Sequence, residues 1–244
     1  MKLYVVAASH PCETVRKALS LKGMEWEETV LPIGLSAPFQ LARFGKRTVP
    51  GLEVDGEKVV GSRLILRALD GLVADPPLLP ADPDRRLAVL AAERWGDHVL
   101  QETARWVPLR AAIQRPEVAW DYVAPQGTPV PKPVFLRLTP MNIRAEMAAL
   151  RISDADVDAW LDDLPGCLDR VDGWLADGTL GGPAEPTAAD LQIGSSIALL
   201  RSLEDLRPLI EGRPCEALAT ELFAGYPPAR APAGTVRLPA GATA

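Results

Sequence analysis

Hydrophobic and polar positions in the first part of the chain alternate between the spacings of strands and helices. Leu3–Ala7 is a short apolar run typical of a buried strand. The segment from Cys12 to Lys22 repeats apolar residues three and four positions apart and ends at Gly23, which predicts an amphipathic helix. Glu25–Leu31 predicts a second strand. A helical crossover of this kind joins parallel strands, so we expect the two strands to be parallel.

A second pattern follows, in which two apolar runs flank a turn. Gly51–Val54 and Glu57–Val60 stand on either side of the dipeptide Asp55-Gly56, a strong signal for a type I′ hairpin. We therefore expect these two strands to be antiparallel neighbours. Ser62 is predicted to cap the next helix. The core face of that helix is predicted to carry Leu64, Ile65, Ala68, Leu69 and Leu72.

The pattern changes after residue 74, where four prolines in residues 75–86 predict an extended linker. No strand pattern follows, and apolar residues recur at helical spacing instead. The fold class is therefore α/β followed by all-α. We predict an α/β domain over residues 1–74, a linker over 75–84, an all-helical domain over 85–226 and a flexible tail over 227–244.

The predicted helical domain begins with a long helix over Arg85–Gln114, with a kink at Pro108. The core candidates of this helix are Leu87, Leu90, Ala91, Trp95, Val99 and Trp106. Residues 115–139 contain five prolines and are predicted to be mainly loop. Later helices are predicted over Pro140–Leu150, Asp154–Leu175 (bent or split at Pro165), Thr187–Leu200 and Arg213–Phe223.

Composition and charge exclude several classes of protein. The chain has 244 residues, 48% of them hydrophobic, which is enough for a core. Its 26 Lys and Arg against 32 Asp and Glu give a net charge of −6, so nucleic acid is not an expected partner. No apolar run approaches the roughly 20 residues of a membrane helix, so we expect no membrane partner either.

Cysteine and histidine are too sparse for a disulfide framework or a metal centre. Cys12, Cys167 and Cys215 are scattered, and the histidines are His10 and His98. A structural zinc site needs about four convergent ligands, so no metal is expected. These features favour a reducing cytoplasm.

The first candidate for chemistry is Ser9-His10-Pro11-Cys12, between the first strand and the first helix. The N-terminus of a helix stabilises a thiolate, whether it belongs to the protein or to a ligand. Cys12 could carry that thiolate, or Ser9 could donate a hydrogen bond to a bound sulfur. The structural alternative is that Ser9 caps the helix and Cys12 packs as a small apolar residue.

Two further candidates and a cluster of cations follow. Thr48-Val49-Pro50 precedes a strand, and a cis bond at Pro50 would leave the backbone of Val49 free to pair with an extended ligand. In Gly61-Ser62-Arg63 a hydroxyl at a helix start could hold a carboxylate or could simply cap the helix. The cations Arg43, Lys46 and Arg47 would suit an anionic ligand nearby, although such a cluster is usually a solvated loop.

The order of these motifs resembles the glutathione transferase superfamily. The matching segments are LYVVAASHPCETVRKALSLKG (3–23), TVPGLEVDG (48–56), GSRLILRAL (61–69) and DGTLGGPAEPTAADLQIGSSIALL (177–200). The resemblance implies a thioredoxin-like βαβ–ββα domain followed by a helical bundle, and a homodimer. It also implies that glutathione or another low-molecular-weight thiol is the co-substrate, and that Thr187 and Asp190 form a capping box.

The resemblance also implies roles for individual residues. The thiol is contacted at Ser9 or Cys12, and its cysteinyl unit pairs with the backbone of Val49 ahead of a cis Pro50. The γ-glutamyl carboxylate binds at Ser62. The remaining thiol-binding candidates are Lys46, Thr48 and Arg63.

Three departures from the family pattern leave the identity of the thiol open. Gly61 stands where the family usually has an acidic residue, and Lys46 is displaced by two positions. Ser9 occupies the first position of the Cys-Pro-x-Cys-like motif, so a dithiol redox cycle cannot operate. The composition, rich in Ala, Arg, Pro and Gly, fits a bacterium with GC-rich DNA, and some of these use thiols other than glutathione.

Three functions remain open on the sequence. The first is an enzyme that activates a low-molecular-weight thiol for attack on an electrophile. The second is a Cys12-based thiol oxidoreductase that passes through a mixed disulfide. The third is a non-enzymatic binding or assembly module, because a fold alone does not fix a function. Candidates for an apolar electrophile pocket are Trp95, Trp106, Trp120, Tyr122 and Phe135.

Overall fold

In a computed structural model, which describes residues 1–128 and 130–238, the first part of the chain forms one mixed sheet. Its strands are β1 (Lys2–Val5), β2 (Glu27–Val30), β3 (Gly51–Val54) and β4 (Glu57–Val60), in the order β2-β1-β3-β4. β1 is parallel to β2, and β3 is antiparallel to both β1 and β4. Asp55 and Gly56 have φ of 50° and 84°, as a type I′ turn requires. The predicted crossover and hairpin are confirmed.

Three helices cover this sheet, namely α1 (His10–Leu21), α2 (Ser36–Phe44) and α3 (Ser62–Leu72). Because strand residues alternate between faces, Leu3 and Val5 point to one side and Tyr4 to the other. Leu3 and Val5 belong to the main core together with the apolar faces of α1 and α3. The ring of Tyr4 contacts Phe39 and Phe44 of α2, with ring centroids 5.7 and 5.3 Å apart. The sheet therefore lies between helices, as in a thioredoxin-like domain.

The start and the buried face of α3 differ from the sequence prediction. Gly61 is the N-cap, and Ser62 is the first helical residue. The buried stripe is Ser62, Ile65, Leu66 and Leu69, spaced i, i+3, i+4 and i+7. Leu64 falls outside this stripe and is 59% exposed, and Leu72, in the last turn, is 45% exposed. Both leucines were wrongly predicted to be in the core.

The rest of the chain is helical. A long helical segment consists of α4 (Pro83–Trp95), a π turn (Gly96–Leu100) and α5 (Gln101–Gln114). It is followed by α6 (Pro116–Val123), a 3₁₀ turn (Ala124–Gln126), α7 (Lys132–Leu150), α8 (Asp154–Ala176), α9 (Ala188–Arg201), α10 (Arg207–Ile210) and a second π turn (Leu218–Leu222). Within residues 1–128 and 130–238, no helix is long and apolar enough to cross a membrane.

Proline explains most differences between these helices and the predicted ones. The prediction that residues 115–139 are mainly loop is wrong, because α6 begins at Pro116 and α7 has Pro133 in its first turn. A proline there loses no hydrogen bond, since the first N–H groups of a helix have no intrahelical partner. Pro108 and Pro165 lie inside α5 and α8 without ending them, and the irregular turn lies at Gly96–Leu100 instead.

α9 forms the centre of the helical part. Every residue from Ala188 to Leu200 is buried. The Asp190 carboxylate accepts from the backbone N–H groups of Gly181, Gly182 and Thr187 at 3.0, 2.8 and 2.8 Å, and also from the Thr187 hydroxyl. The predicted capping box is present. By contrast, Leu87 and Val99 are 66% and 39% exposed and Ala91 is also exposed, so these core predictions were wrong.

The linker and the tail are both packed against the protein. Leu78 and Leu79 are buried, and the Leu78 carbonyl accepts from the N–H of Ala188 at 2.8 Å. The predicted tail begins at residue 227, but Ala231 is fully buried, and the backbone N–H groups of residues 234–236 all donate to Asp205. The prediction of a flexible tail is therefore wrong over residues 227–238. Its last six residues, 239–244, lie outside the described residues.

Candidate functional site

The register of the sheet brings the three candidate segments to one edge. Tyr4 pairs with Gly51, which in turn pairs with Val60. The end of β1, the start of β3 and the end of β4 therefore lie side by side. Ser9, Val49 and Ser62 lie on the segments that continue from these three strand ends. The N–H of Gly61 donates to the Pro50 carbonyl at 2.9 Å and ties two of the segments together.

Ser9 is the N-cap residue of α1 by position, but its side chain does not cap the helix. Its backbone is extended, its side chain makes no capping hydrogen bond, and the residue is half-buried. Its carbonyl accepts from the N–H groups of Cys12 and Glu13 at 3.0 and 3.1 Å. The interpretation of Ser9 as a side-chain cap is therefore wrong. A hydroxyl without a capping bond is left at the positive end of a helix, where it can donate to an anion.

Cys12 is enclosed in the core. Its exposed fraction is 0%, and burial raises the pKa of its thiol to about 11, although the nearby Ser9 hydroxyl and the Val6 backbone act to lower that pKa. The sulfur is therefore a neutral thiol at physiological pH. Nucleophilic attack needs the thiolate, so this environment is typical of a structural cysteine.

His10 is buried at the start of α1. It is the first residue of α1 and is 4% exposed, and its Nε2 has no hydrogen-bond partner among residues 1–128 and 130–238. Burial, together with the smaller effect of the positive charge of Arg105, lowers the pKa of His10 to about 3. The imidazole is therefore neutral at physiological pH.

The segment before β3 leaves backbone groups open. The Val49–Pro50 peptide bond is cis, as predicted. Within the described part of the chain, neither the N–H nor the carbonyl of Val49 makes a backbone hydrogen bond. Thr48 is exposed and Val49 is half-buried. These groups can pair with an extended ligand that lies along the segment.

Only some of the nearby cations are engaged within the protein. Arg43 donates to Glu53 at 2.7 Å, and its guanidinium lies 5.0 Å from the centre of the Tyr4 ring. Lys46 and Arg47 are exposed and form no ion pair with other described residues. The positive charge available to a ligand on this segment therefore comes from Lys46 and Arg47.

Ser62 is already engaged. It is 4% exposed, and its hydroxyl donates to Oε1 of Gln192 in α9 at 2.9 Å. The amide nitrogen of Gln192 donates to Gln101 at 2.7 Å. The predicted capping role of Ser62 is wrong, because Gly61 is the N-cap. A carboxylate can take the Ser62 hydroxyl only when the bond to Gln192 breaks.

Arg63 also faces a protein partner. Its Nε donates to the Glu93 carboxylate at 3.3 Å, and Arg67 pairs with the same carboxylate. Burial raises the pKa of Glu93, while the two arginines act to lower it. The ion pairs tie α3 to α4, so Arg63 is engaged with a carboxylate of the protein.

Sequence reasoning missed one contact of the loop before α1. Ala8 has φ of 61°, and its carbonyl accepts from the Tyr226 hydroxyl at 2.9 Å. Tyr226 opens a segment rich in Pro, Ala and Gly, a composition that predicts a flexible end and no packing contact. The available signal was that Tyr226 is the only aromatic residue from position 226 to the end of the sequence.

A small apolar cluster lies beside the thiol candidates. Ala7, Val123 and Phe135 pack together, with Trp120 against them at a centroid distance of 5.3 Å from Phe135. A cavity of about 20 Å³ next to Ala7 is lined by residues 30–33 and by Val123, Gly127 and Thr128. That volume matches roughly one water molecule. Trp120 and Phe135 are thus near the candidate site.

The other predicted pocket aromatics lie elsewhere. Trp106 is fully buried in the main core, Trp95 packs on Trp174 at a centroid distance of 5.1 Å, and the Tyr122 hydroxyl bonds to Ser202. A more open groove of about 580 Å³ on the long helix is lined by Ala91, Arg94, Trp95 and His98. It contains none of the predicted thiol-binding residues.

Comparisons with known proteins bear on the family and the fold of the chain. Residues 3–77 match the family model described as glutathione S-transferase, N-terminal domain. Maleylacetoacetate isomerase of Pseudomonas aeruginosa is 37% identical over 94 residues, which are 35% of this chain and 43% of that protein. The chain thus matches less than half the length of this curated relative.

Solved structures share the fold over nearly the whole chain. A glutathione S-transferase domain-containing protein of Marinobacter aquaeolei is 18% identical, covers 91% of this chain and 95% of its own, and has a TM-score of 0.62. A bacterial zeta-class maleyl pyruvate isomerase is 23% identical, with coverage of 90% and 91% and a TM-score of 0.54. At these identities the similarity shows the two-part fold.

Proposed function

We propose that the protein is a glutathione transferase-like enzyme, on the premise that residues 3–77 match the glutathione S-transferase N-terminal domain family. It binds glutathione or another low-molecular-weight thiol and directs the thiolate at an electrophile. The observation that carries this proposal is the Ser9 hydroxyl, which stands at a helix N-terminus without a capping bond.

Ser9 stabilises the thiolate of the bound ligand in this mechanism. Its O–H donates to the sulfur, and the positive end of α1 adds to the effect. Moving a thiol pKa from about 8.5 to about 6.5 corresponds to about 2.7 kcal/mol in favour of the thiolate. The thiol proton passes to solvent, and the thiolate forms a sulfur–carbon bond as the leaving group departs with its bonding electrons.

The remaining part of the ligand lies along the sheet edge. Its backbone pairs with the N–H and carbonyl of Val49, and its carboxylate end approaches the start of α3. Ser62 joins this contact only after its hydroxyl leaves Gln192. Lys46 and Arg47, which are exposed, supply positive charge to an anionic thiol.

A second candidate reaction is isomerisation of a conjugated double bond, and the 37% identity over 94 residues to a maleylacetoacetate isomerase favours it. The thiolate adds to the alkene carbon, and the electron pair moves onto the activating carbonyl. Rotation about the resulting single bond is followed by elimination, which restores the double bond and releases the thiolate. The thiol is then a catalyst and is not consumed.

The Cys12-based oxidoreductase is less consistent with the geometry. A mixed disulfide needs an accessible thiolate, whereas Cys12 is fully buried and burial raises its pKa to about 11. The non-enzymatic module remains the expected conclusion if no activity is found with a broad set of thiols and electrophiles.

We also propose that the protein forms a homodimer in the cytoplasm. Leu64 of α3 and Leu87 of α4 are 59% and 66% exposed, on two helices that the Arg67–Glu93 ion pair holds together. Contact with a second copy of the chain would bury these leucines, and burial of apolar surface is favourable. Light scattering at micromolar concentration is expected to give about twice the 26.2 kDa of the chain, and a stable monomer would contradict the proposal.

The thiol-activating residue is tested by comparing Ser9→Ala with Cys12→Ala. Thiols are first ranked by binding titration, and turnover is then measured with the tightest one on both conjugation and isomerisation substrates. We expect Ser9→Ala to lower turnover by about 10²-fold or more and Cys12→Ala by less than about tenfold. The reverse order, with a thiol adduct on Cys12 by intact-mass spectrometry, would establish the oxidoreductase instead.

A further inference from the structure

The geometry points to Tyr226 as a positioning residue for Ser9: by holding the Ala8 carbonyl, its hydroxyl fixes the direction in which Ser9 leaves the loop. This inference rests on the proposed function of Ser9 and adds a second residue to it. Tyr226 and Ala8 are 218 positions apart, and their hydrogen bond measures 2.9 Å. The bond joins the C-terminal segment to the loop between β1 and α1.

The argument begins with the peptide unit that joins Ala8 to Ser9. The Ala8 carbonyl and the Ser9 N–H belong to one rigid plane. Tyr226 holds the carbonyl end, and the Ser9 N–H donates to the Val6 carbonyl at 3.3 Å. These two hydrogen bonds hold opposite edges of the peptide plane and so fix its rotation. The position of the Ser9 Cα follows from that plane, and so does the point from which its side chain leaves the backbone.

The loop needs such an anchor because Ala8 adopts an unfavourable conformation. Its φ of 61° lies in the left-handed region, where the Cβ of an L-residue crowds the following carbonyl. Without an external contact, relief of this crowding favours relaxation of Ala8 toward negative φ. That relaxation would rotate the plane between Ala8 and Ser9 and move the hydroxyl away from the ligand sulfur.

Tyr226 is itself well fixed. Its N–H donates to the Phe223 carbonyl at 3.0 Å, and its ring packs against the main core. Phe223 rests on α9 at Gly194, where an added Cβ would lie 3.0 Å from the Phe223 ring. Burial raises the pKa of Tyr226 well above its usual value, so the hydroxyl stays protonated and remains a donor.

The chain offers a matched control in Tyr122. Tyr122 is buried and Tyr226 is half-buried, and the Tyr122 hydroxyl bonds to Ser202 within the helical part. Tyr122→Phe and Tyr226→Phe each remove one hydroxyl from a packed ring. Only the second change removes a contact with the loop that carries Ser9.

The test measures turnover at saturating thiol, the pKa of the bound thiol from the pH profile, and hydrogen–deuterium exchange of residues 6–13. We expect Tyr226→Phe to lower turnover about fivefold, as loss of one hydrogen bond allows, and to raise the bound-thiol pKa. The Ser9, Cys12 and Glu13 amides should exchange several-fold faster. Tyr122→Phe should leave all three quantities unchanged.

A second measurement uses Ala8→Gly as a background. Glycine adopts the left-handed conformation without strain, so Tyr226→Phe should lower turnover less than twofold in that background. A fivefold loss in both backgrounds would overturn the role of the Ala8 conformation. If Ser9→Ala keeps full turnover, the proposed function itself is wrong. If Ser9→Ala is impaired but Tyr226→Phe behaves like Tyr122→Phe, only the positioning role is wrong.

Discussion

The N-termini of α1 and α9 have similar N-cap residues, but the two N-cap side chains have different hydrogen bonds. Each has a hydroxyl residue with extended backbone at its N-cap, and the helices touch where Thr14 and Ser195 bond at 2.8 Å. Thr187 closes a capping box with Asp190, whereas the Ser9 side chain makes no capping bond.

The difference lies three residues after the cap. The third helical position is Asp190 in α9, which reaches back to the N-cap N–H, but Cys12 in α1, which has no carboxylate to offer. The hydrogen-bonding groups at the N-terminus of α9 are thereby paired within the protein, which stabilises the fold. The N-terminus of α1 is left with hydrogen-bonding capacity that a ligand can use.

The largest expected effect is the loss of stability when the closed N-terminus is opened. Asp190→Ala removes the buried acceptor of four donors, and we expect the free energy of unfolding to fall by about 3 kcal/mol or more. Urea unfolding measures this. The matched control is Asp156→Ala in the exposed capping box of α8, expected to cost less than about 1 kcal/mol. Equal losses would show that burial of the α9 box is unimportant.

A crossed pair of variants then separates the two N-termini. Ser9→Ala should raise the activation barrier by about 2.7 kcal/mol while changing the free energy of unfolding by less than about 0.5 kcal/mol, because no capping bond is lost. Thr187→Ala should destabilise the protein by about 1–2 kcal/mol and leave turnover per folded molecule unchanged. Urea unfolding and initial rates are measured on the same preparations. A stability loss for Ser9→Ala would identify it as a cap.

The pH dependence of stability tests how closely the start of α1 is packed. The pKa of His10 falls from 6.5 to about 3 on folding, so the unfolded chain binds the extra proton as the pH drops below about 6.5. This group therefore removes stability toward acid, by about 2 kcal/mol at pH 5. His10→Gln lacks this titration, and its unfolding free energy should fall less between pH 7 and pH 5. Parallel curves would contradict the burial of His10.

The smallest effects concern Ser62 of α3, whose hydroxyl has a partner inside the protein but can also bind the ligand. We expect Ser62→Ala to weaken thiol binding by about 1.5 kcal/mol. Gln192→Leu removes the internal acceptor and should strengthen thiol binding by about 0.5 kcal/mol. Calorimetric titration of both variants measures the opposite signs. If Ser62→Ala lowers only the unfolding free energy, Ser62 is a structural link between α3 and α9.

Local patterns predicted the parts of the fold that local forces decide. Asp55-Gly56 gave the hairpin, and Thr187 with Asp190 gave the capping box, because each feature depends on residues within a few positions. Leu87 and Leu64 fit helical spacing but are exposed, since only the packing of neighbouring helices decides which face is covered.

The features that could not be predicted depend on contacts between residues far apart in the sequence. The segment after residue 226 has a composition typical of a flexible tail, yet Asp205 accepts from three of its N–H groups. In the candidate site, strand order placed Ser9, Val49 and Ser62 together. The bond between Ser62 and Gln192 spans 130 positions, and no local pattern indicates it.

The contact between Tyr226 and Ala8 also sets an order of events during protein synthesis. A ribosome makes the chain from its N-terminus, so the loop before α1 emerges long before residue 226 does. Until then the loop lacks the hydroxyl that holds the Ala8 carbonyl. A nascent chain can therefore form its sheet early, but the arrangement around Ser9 is completed among the last steps of its maturation.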